Sequence, residues 1–197
     1  MMALLTLIIV ITAGVFCLVR YLETTAVFFP GKDTFLTPDR MGLPYEEPHV
    51  CTSDGVHLGV WFLKNPKATS TLIFAHGNAG TMRDRLMKIK FFYDLGFNVL
   101  AFDYRGYGKS QGHPTEKGVY LDAQAVYDYL KTRDDVDMDR VVAYGSSLGG
   151  IVAVDLATRR RLAVLVVDSS ITSAREAAQL FYPYLPSFLM QIGRAHV

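Results

Sequence analysis

The chain has 197 residues, half of them hydrophobic, with 20 basic and 19 acidic side chains. That length suits one domain with a sizeable core and is short for two. A net charge of +1 gives no electrostatic footprint for nucleic acid, and two cysteines make neither a disulfide framework nor a four-ligand zinc site.

No side chain from Met1 to Val19 is charged, and Arg20 closes the run. About 20 apolar residues span the hydrocarbon core of a bilayer as a helix. Residues 1–21 therefore predict a single-pass N-terminal transmembrane anchor, with Tyr21, Phe28 and Phe29 suited to the interface. A cleaved signal peptide fits less well, because no Lys or Arg precedes the apolar run and the run exceeds the usual ~7–15 residues. Arg20 and Lys32 alone leave the side of the membrane undetermined.

Residues 22–47, broken by Pro30, Pro38 and Pro44, read as a connector, and residues 48–191 as the folded domain. The domain opens with a β pair, His49–Thr52 and Val56–Phe62, around the turn signal Ser53-Asp54-Gly55. Short apolar runs at Thr71–Ala75, Asn98–Phe102, Arg140–Tyr144 and Leu162–Val167 suit strands buried on both faces. Helices are expected at Thr81–Leu95, along the stripe Val119, Ala123, Val126 and Leu130, and from Leu148 to Ala157. Strands alternating with helices predict an α/β fold with a mostly parallel sheet. Ile171 to Met190 is expected to be helical and is rich in Phe, Tyr and Leu. The last six residues, Ile192-Gly193-Arg194-Ala195-His196-Val197, resemble one reading frame of a short-read sequencing adapter, so native sequence is expected to end near Gln191.

Gly145-Ser146-Ser147-Leu148-Gly149 reads G-x-S-x-G between an expected strand and an expected helix. A nucleophile elbow needs that context and small residues two before and two after the serine. Ser147 is thus the candidate nucleophile, and the plainer reading of the motif is a glycine-rich helix entry. His76-Gly77-Asn78-Ala79-Gly80 follows an earlier strand, where two backbone N–H groups are needed for an oxyanion hole. Those donors would be Asn78 and Leu148. His76 precedes the serine in the chain and is set aside as a base, because the fold's order is nucleophile, acid, histidine. Asp103-Tyr104-Arg105-Gly106-Tyr107-Gly108-Lys109-Ser110 contains Gly-Lys-Ser, but Asp103 stands where a phosphate-binding loop needs its first glycine. The segment reads instead as a rim loop in which Asp103 and Arg105 make local hydrogen bonds.

Together these motifs, with Asp54-Gly55-Val56-x-Leu58 and Gly112-x-Pro114-Thr115-Glu116, resemble the α/β-hydrolase superfamily. They resemble most its membrane-anchored branch related to serine aminopeptidases and depalmitoylase-like thioesterases. The resemblance implies a serine hydrolase that cleaves an ester, thioester or amide through an acyl-enzyme on Ser147, with no metal or organic cofactor. It also implies an acid and a histidine after the serine. Between Ser147 and Gln191 there is no histidine, and the acidic residues are Asp155, Asp168 and Glu176. Asp155 reads as a solvated helix residue and Asp168 as a turn residue. The catalytic acid and His are therefore expected to be absent from this chain, which is expected to be a C-terminally truncated, inactive fragment with an uncovered sheet edge. The anchor and the aromatic tail around Phe181, Tyr182, Tyr184 and Phe188 suggest an acylated or lipid-like small-molecule substrate. The alternative is a non-catalytic, membrane-anchored hydrolase-fold binding or scaffold protein.

Overall fold

A computed structural model describes residues 2–25, 28–31 and 36–170. The expected helix over 171–190 and the expected adapter residues 192–197 lie outside the described residues. The chain divides into two compact units, with a boundary between Phe29 and Pro30. The described part of the first is helix α1, Met2–Thr25, 24 residues long. Residues 3–17 along it are exposed throughout. Among the described residues no helix is long and apolar enough to cross a membrane.

The second unit opens with a two-stranded antiparallel hairpin, β1 (Val50–Cys51) and β2 (His57–Leu58). A five-stranded sheet follows, built from β3 (Val60–Leu63), β4 (Ser70–Ala75), β5 (Phe97–Phe102), β6 (Val141–Ser146) and β7 (Val164–Asp168). Its order is β3-β5-β4-β6-β7, with β3 antiparallel and the other pairs parallel. The connecting helices are α2 (Leu86–Asp94), α3 (Glu116–Leu130) and α4 (Leu148–Arg159).

β4, β5 and β6 are nearly all apolar because both their faces are covered. On one face Leu72, Phe74, Val99, Val142 and Tyr144 pack with Met82, Leu86 and Ile89. The opposite residues, Ile73, Ala75, Leu100 and Ala143, are equally buried, and α4 and α3 lie against β4 on that side.

Several details differ from the sequence expectation. The run Val56–Phe62 is two strands, not one. Gly59 leaves the hairpin because its N–H donates to Ser110 Oγ at 2.8 Å and its carbonyl accepts from the Asp103 N–H at 2.9 Å. The helix expected from Thr81 begins as a 3-10 turn, Met82–Arg85. A reciprocal capping box starts it, with the Thr81 N–H on Asp84 Oδ2 at 2.7 Å and the Arg83 N–H on Thr81 Oγ1 at 3.2 Å. Residues 36–47, read as connector, pack on the domain: Leu43 is in the core, and buried Arg83 donates to the Leu36 carbonyl at 2.6 Å.

β7 differs in burial. Its side chains Val164, Leu165, Val166 and Val167 are 38–52% exposed, and among the described strands it pairs with β6 alone.

The hydrogen bonds of Arg105 are long-range, not local. Its Nε and N–H donate to the fully buried carboxylate of Asp122 on α3, at 2.9 and 2.8 Å. Its two terminal nitrogens reach Asp54 in the hairpin turn at 2.7 and 3.0 Å. Hydrogen bonds from Arg105 hold Asp54 well below the usual carboxylate range, while burial pushes Asp122 up against the pull of the same guanidinium. Arg105→Met strands the buried Asp122 charge and should cost about 3–5 kcal/mol in urea unfolding; an unchanged midpoint would contradict this. Since folding lowers the Asp54 pKa, its contribution is present at neutral pH and lost as pH falls below the ordinary carboxylate range. Asp54→Asn should therefore flatten the acid limb of a stability–pH curve.

Candidate active site

The sheet order reverses its direction of growth at β4: β5 lies on one side of it and β6 on the other. In open α/β sheets, ligands bind in the crevice beyond the carboxyl ends of strands at such a switch point. The carboxyl ends of β4 and β6 carry the two motifs singled out above.

β6 ends at Ser146 and α4 begins at Leu148, so Ser147 turns the chain alone. Its backbone sits at φ 54°, ψ −116°, a conformation that strains a side-chain-bearing residue by about 1–3 kcal/mol. The serine occupies the N-cap position of α4, but its hydroxyl makes no capping bond. Backbone contacts hold the turn instead. The Ser147 N–H donates to the Asp168 carbonyl at 3.0 Å, and the Ser147 carbonyl accepts from the Gly150 N–H at 2.9 Å and from Ser170 Oγ at 2.8 Å.

The two flanking glycines are sterically required. A Cβ on Gly145 would lie 2.0 Å from the Gly149 oxygen, and one on Gly149 would lie 2.0 Å from the Ala75 oxygen. The first turn of α4 therefore rests directly on the end of β4. Ala75 and Gly145 are paired in register, which brings His76–Gly80 beside Ser147. A Cβ placed on Gly77 would lie 3.6 Å from Ser147 Cβ. Asn78 and Leu148, the residues expected to offer oxyanion N–H groups, thus follow the two adjacent strand ends. Both are half-buried.

His76 is fully buried. Its Nδ1 lies 2.6 Å from the Gly77 oxygen. The Asp103–Ser110 segment is more than a rim. Asp103 Oδ1 accepts from the Met82 N–H at 2.6 Å, the Tyr104 hydroxyl donates to the His76 carbonyl at 2.7 Å, and the Tyr107 hydroxyl donates to Asn78 Oδ1 at 2.7 Å. Sequence reasoning did not single out these two tyrosines. The available signal was Tyr107 set between Gly106 and Gly108, with Tyr104 three residues before it, since a ring buried in a turn must find an acceptor for its hydroxyl.

Asp168 does not reach forward as an acid. Its carboxylate accepts from Lys88 Nζ at 2.6 Å, from the Tyr144 hydroxyl, and from Ser169 Oγ at 2.9 Å. Lys88 foremost, then Tyr144 and Ser169, hold it far below the usual carboxylate range. Asp155 pairs with Arg159 one turn along α4, at 2.9 Å. From Leu148 to Ser170 the sequence holds no histidine.

A family model described as alpha/beta hydrolase fold matches residues 70–195. The alpha/beta hydrolase domain-containing protein WAV2 of Arabidopsis thaliana is 36% identical over 189 residues, covering 91% of this chain and 61% of WAV2. An uncharacterized membrane protein of Saccharomyces cerevisiae is 36% identical over 157 residues, covering 78% of this chain and 55% of that protein. Among solved structures, an esterase of Pyrococcus furiosus superposes with a TM-score of 0.68 at 28% identity, over 82% of this chain and 64% of the esterase. The chain belongs to the α/β-hydrolase family, and it spans 61% of the length of WAV2.

The strained turn has a measurable consequence. Ser147→Gly releases the left-handed strain and loses a smaller amount to the freer unfolded chain, so it should stabilise the fold by about 1 kcal/mol. Ser147→Ala keeps the strain and should leave stability near wild type. Chemical denaturation compares the two; a glycine variant less stable than the alanine variant would contradict the geometry.

Proposed function

We propose that the whole protein is a membrane-anchored serine hydrolase that cleaves an ester, thioester or amide through an acyl-enzyme on Ser147. The observation that carries this reading is the single-residue turn at Ser147, left-handed, uncapped by its own hydroxyl and beside Gly77. A serine so held presents its Oγ above the carboxyl edge of the sheet, at a helix N-terminus that favours developing negative charge.

In this mechanism Ser147 Oγ attacks the acyl carbon while a histidine takes its proton and an acid orients that histidine. The backbone N–H groups of Asn78 and Leu148 receive the charge that forms on the carbonyl oxygen. The histidine returns the proton to the leaving group, and water then releases the acyl group by the same steps in reverse order. Asp168 is already committed to Lys88 and Tyr144, and no histidine precedes Gln191 on the far side of Ser147. We assign both missing roles to native sequence beyond Gln191, consistent with a chain that spans 61% of WAV2.

The anchor is assigned to residues 1–21, which are uncharged from Met1 to Val19 and closed by Arg20. Leucine and isoleucine side chains along it are exposed, and the yeast relative is named a membrane protein. An anchor in a chain whose residues 181–189 are rich in aromatic residues and leucine favours acylated or lipid-like substrates.

The 197-residue chain should hydrolyse a p-nitrophenyl acyl ester no faster than its Ser147→Ala variant. A polypeptide carrying native sequence past Gln191 should turn the ester over, and Ser147→Ala should lower that rate about 10,000-fold. Indistinguishable rates for the longer polypeptide and its alanine variant would overturn the catalytic reading in favour of a non-catalytic module.

A further inference from the structure

His76 is buried, ionisable and unused by the mechanism above. Its Nδ1 lies 2.6 Å from the Gly77 carbonyl oxygen. A carbonyl oxygen only accepts, so Nδ1 carries the proton. The ring is held in place by Tyr104 and Tyr107, whose centroids are 4.5 and 5.6 Å away. The Tyr104 hydroxyl also donates to the carbonyl of His76 itself at 2.7 Å. On the far side, Nε2 is 3.4 Å from Asp103 Oδ1 and has no hydrogen-bond partner among the described residues. Among the described residues, the one hydrogen bond this ring makes is on Gly77.

The Gly77 carbonyl and the Asn78 N–H belong to the same planar peptide group. Fixing the oxygen fixes the direction of the N–H, and a donor on the oxygen polarises the N–H into a stronger donor. We propose that His76 is a positioning residue that sets the direction and strength of the Asn78 backbone N–H through the Gly77 carbonyl. Tyr107 holds the same residue from its side-chain end, through Asn78 Oδ1. The proposal rests on the reading of Asn78 as an oxyanion donor. It gives His76 no contact with substrate and no proton to transfer.

Asparagine and glutamine separate the two ring nitrogens, because the Asn amide nitrogen can occupy the place of Nδ1 and the Gln amide nitrogen that of Nε2. The first readout is the backbone amide of Asn78 in the isotope-labelled 197-residue chain in detergent micelles. The wild-type ring should carry its proton on Nδ1. The Asn78 amide proton should move upfield in His76→Gln and return most of the way in His76→Asn. A ring protonated on Nε2 alone, or the same Asn78 shift in both variants, would overturn the proposal and leave His76 as packing only.

The second readout is ester hydrolysis by the polypeptide extended past Gln191. His76→Gln should lower kcat about 10- to 100-fold with KM within about twofold, and His76→Asn should restore most of the loss. Equal losses in both variants, in an enzyme whose activity still depends on Ser147, would sink the proposal alone. An Asn78 resonance that separates Asn from Gln in a protein with no Ser147-dependent activity would uphold the contact and remove the hydrolase reading instead.

Discussion

The Ala75 carbonyl oxygen occupies the place where a side chain on residue 149 would begin. Much of the site follows from that one contact. Because Gly149 yields the space, the first turn of α4 can lie directly on the end of β4. Because α4 starts so close to the sheet, β6 must reverse within a single residue, and Ser147 takes the left-handed conformation. Gly145 is then pressed against the Gly149 backbone, and Gly77 comes to lie against Ser147. Steric exclusion at two glycines thus places a hydroxyl, a helix N-terminus and the loop after β4 at one point of the crevice where the sheet order reverses.

A second layer of polar contacts holds that arrangement. Asp103, Tyr104, Arg105 and Tyr107 come from one loop and are almost fully buried. Between them they reach four segments: Asp103 the turn before α2, Tyr104 and Tyr107 the loop after β4, and Arg105 both α3 and the hairpin turn at Asp54. Buried polar groups are expensive unless paired. A loop that satisfies so many of them at once therefore fixes the relative positions of four segments more tightly than apolar packing would. On the opposite side of the crevice, Lys88, Tyr144 and Asp168 tie α2 to the ends of β6 and β7, and the Asp168 carbonyl receives the Ser147 N–H.

The alternation of short apolar runs with helical stripes was enough to read the parallel sheet and its helices, because strands covered on both faces leave little room for polar residues. Ser147 and the His76–Gly80 loop were legible because a one-residue turn and a close backbone approach each demand glycine at fixed spacing. The break at Gly59 was not, since it depends on Ser110 and Asp103, some fifty residues away in sequence. Nor were the roles of Tyr104, Tyr107 and Lys88, whose partners are set by tertiary contact and carry no periodic signal. The exposure of Val164–Val167 was not legible, since the run itself reads as a buried strand.

The claim on which the account turns is that Ser147 is a nucleophile and not a structural serine at a helix entry. A fluorophosphonate reacts with a serine hydroxyl only where a base and an oxyanion site activate it. Treating the whole protein with such a probe, then mapping the adduct by peptide mass, tests the claim directly. The account predicts one adduct per chain, on Ser147 and absent after Ser147→Ala. An unmodified folded protein, or an adduct on Ser146 or any other serine, would contradict it.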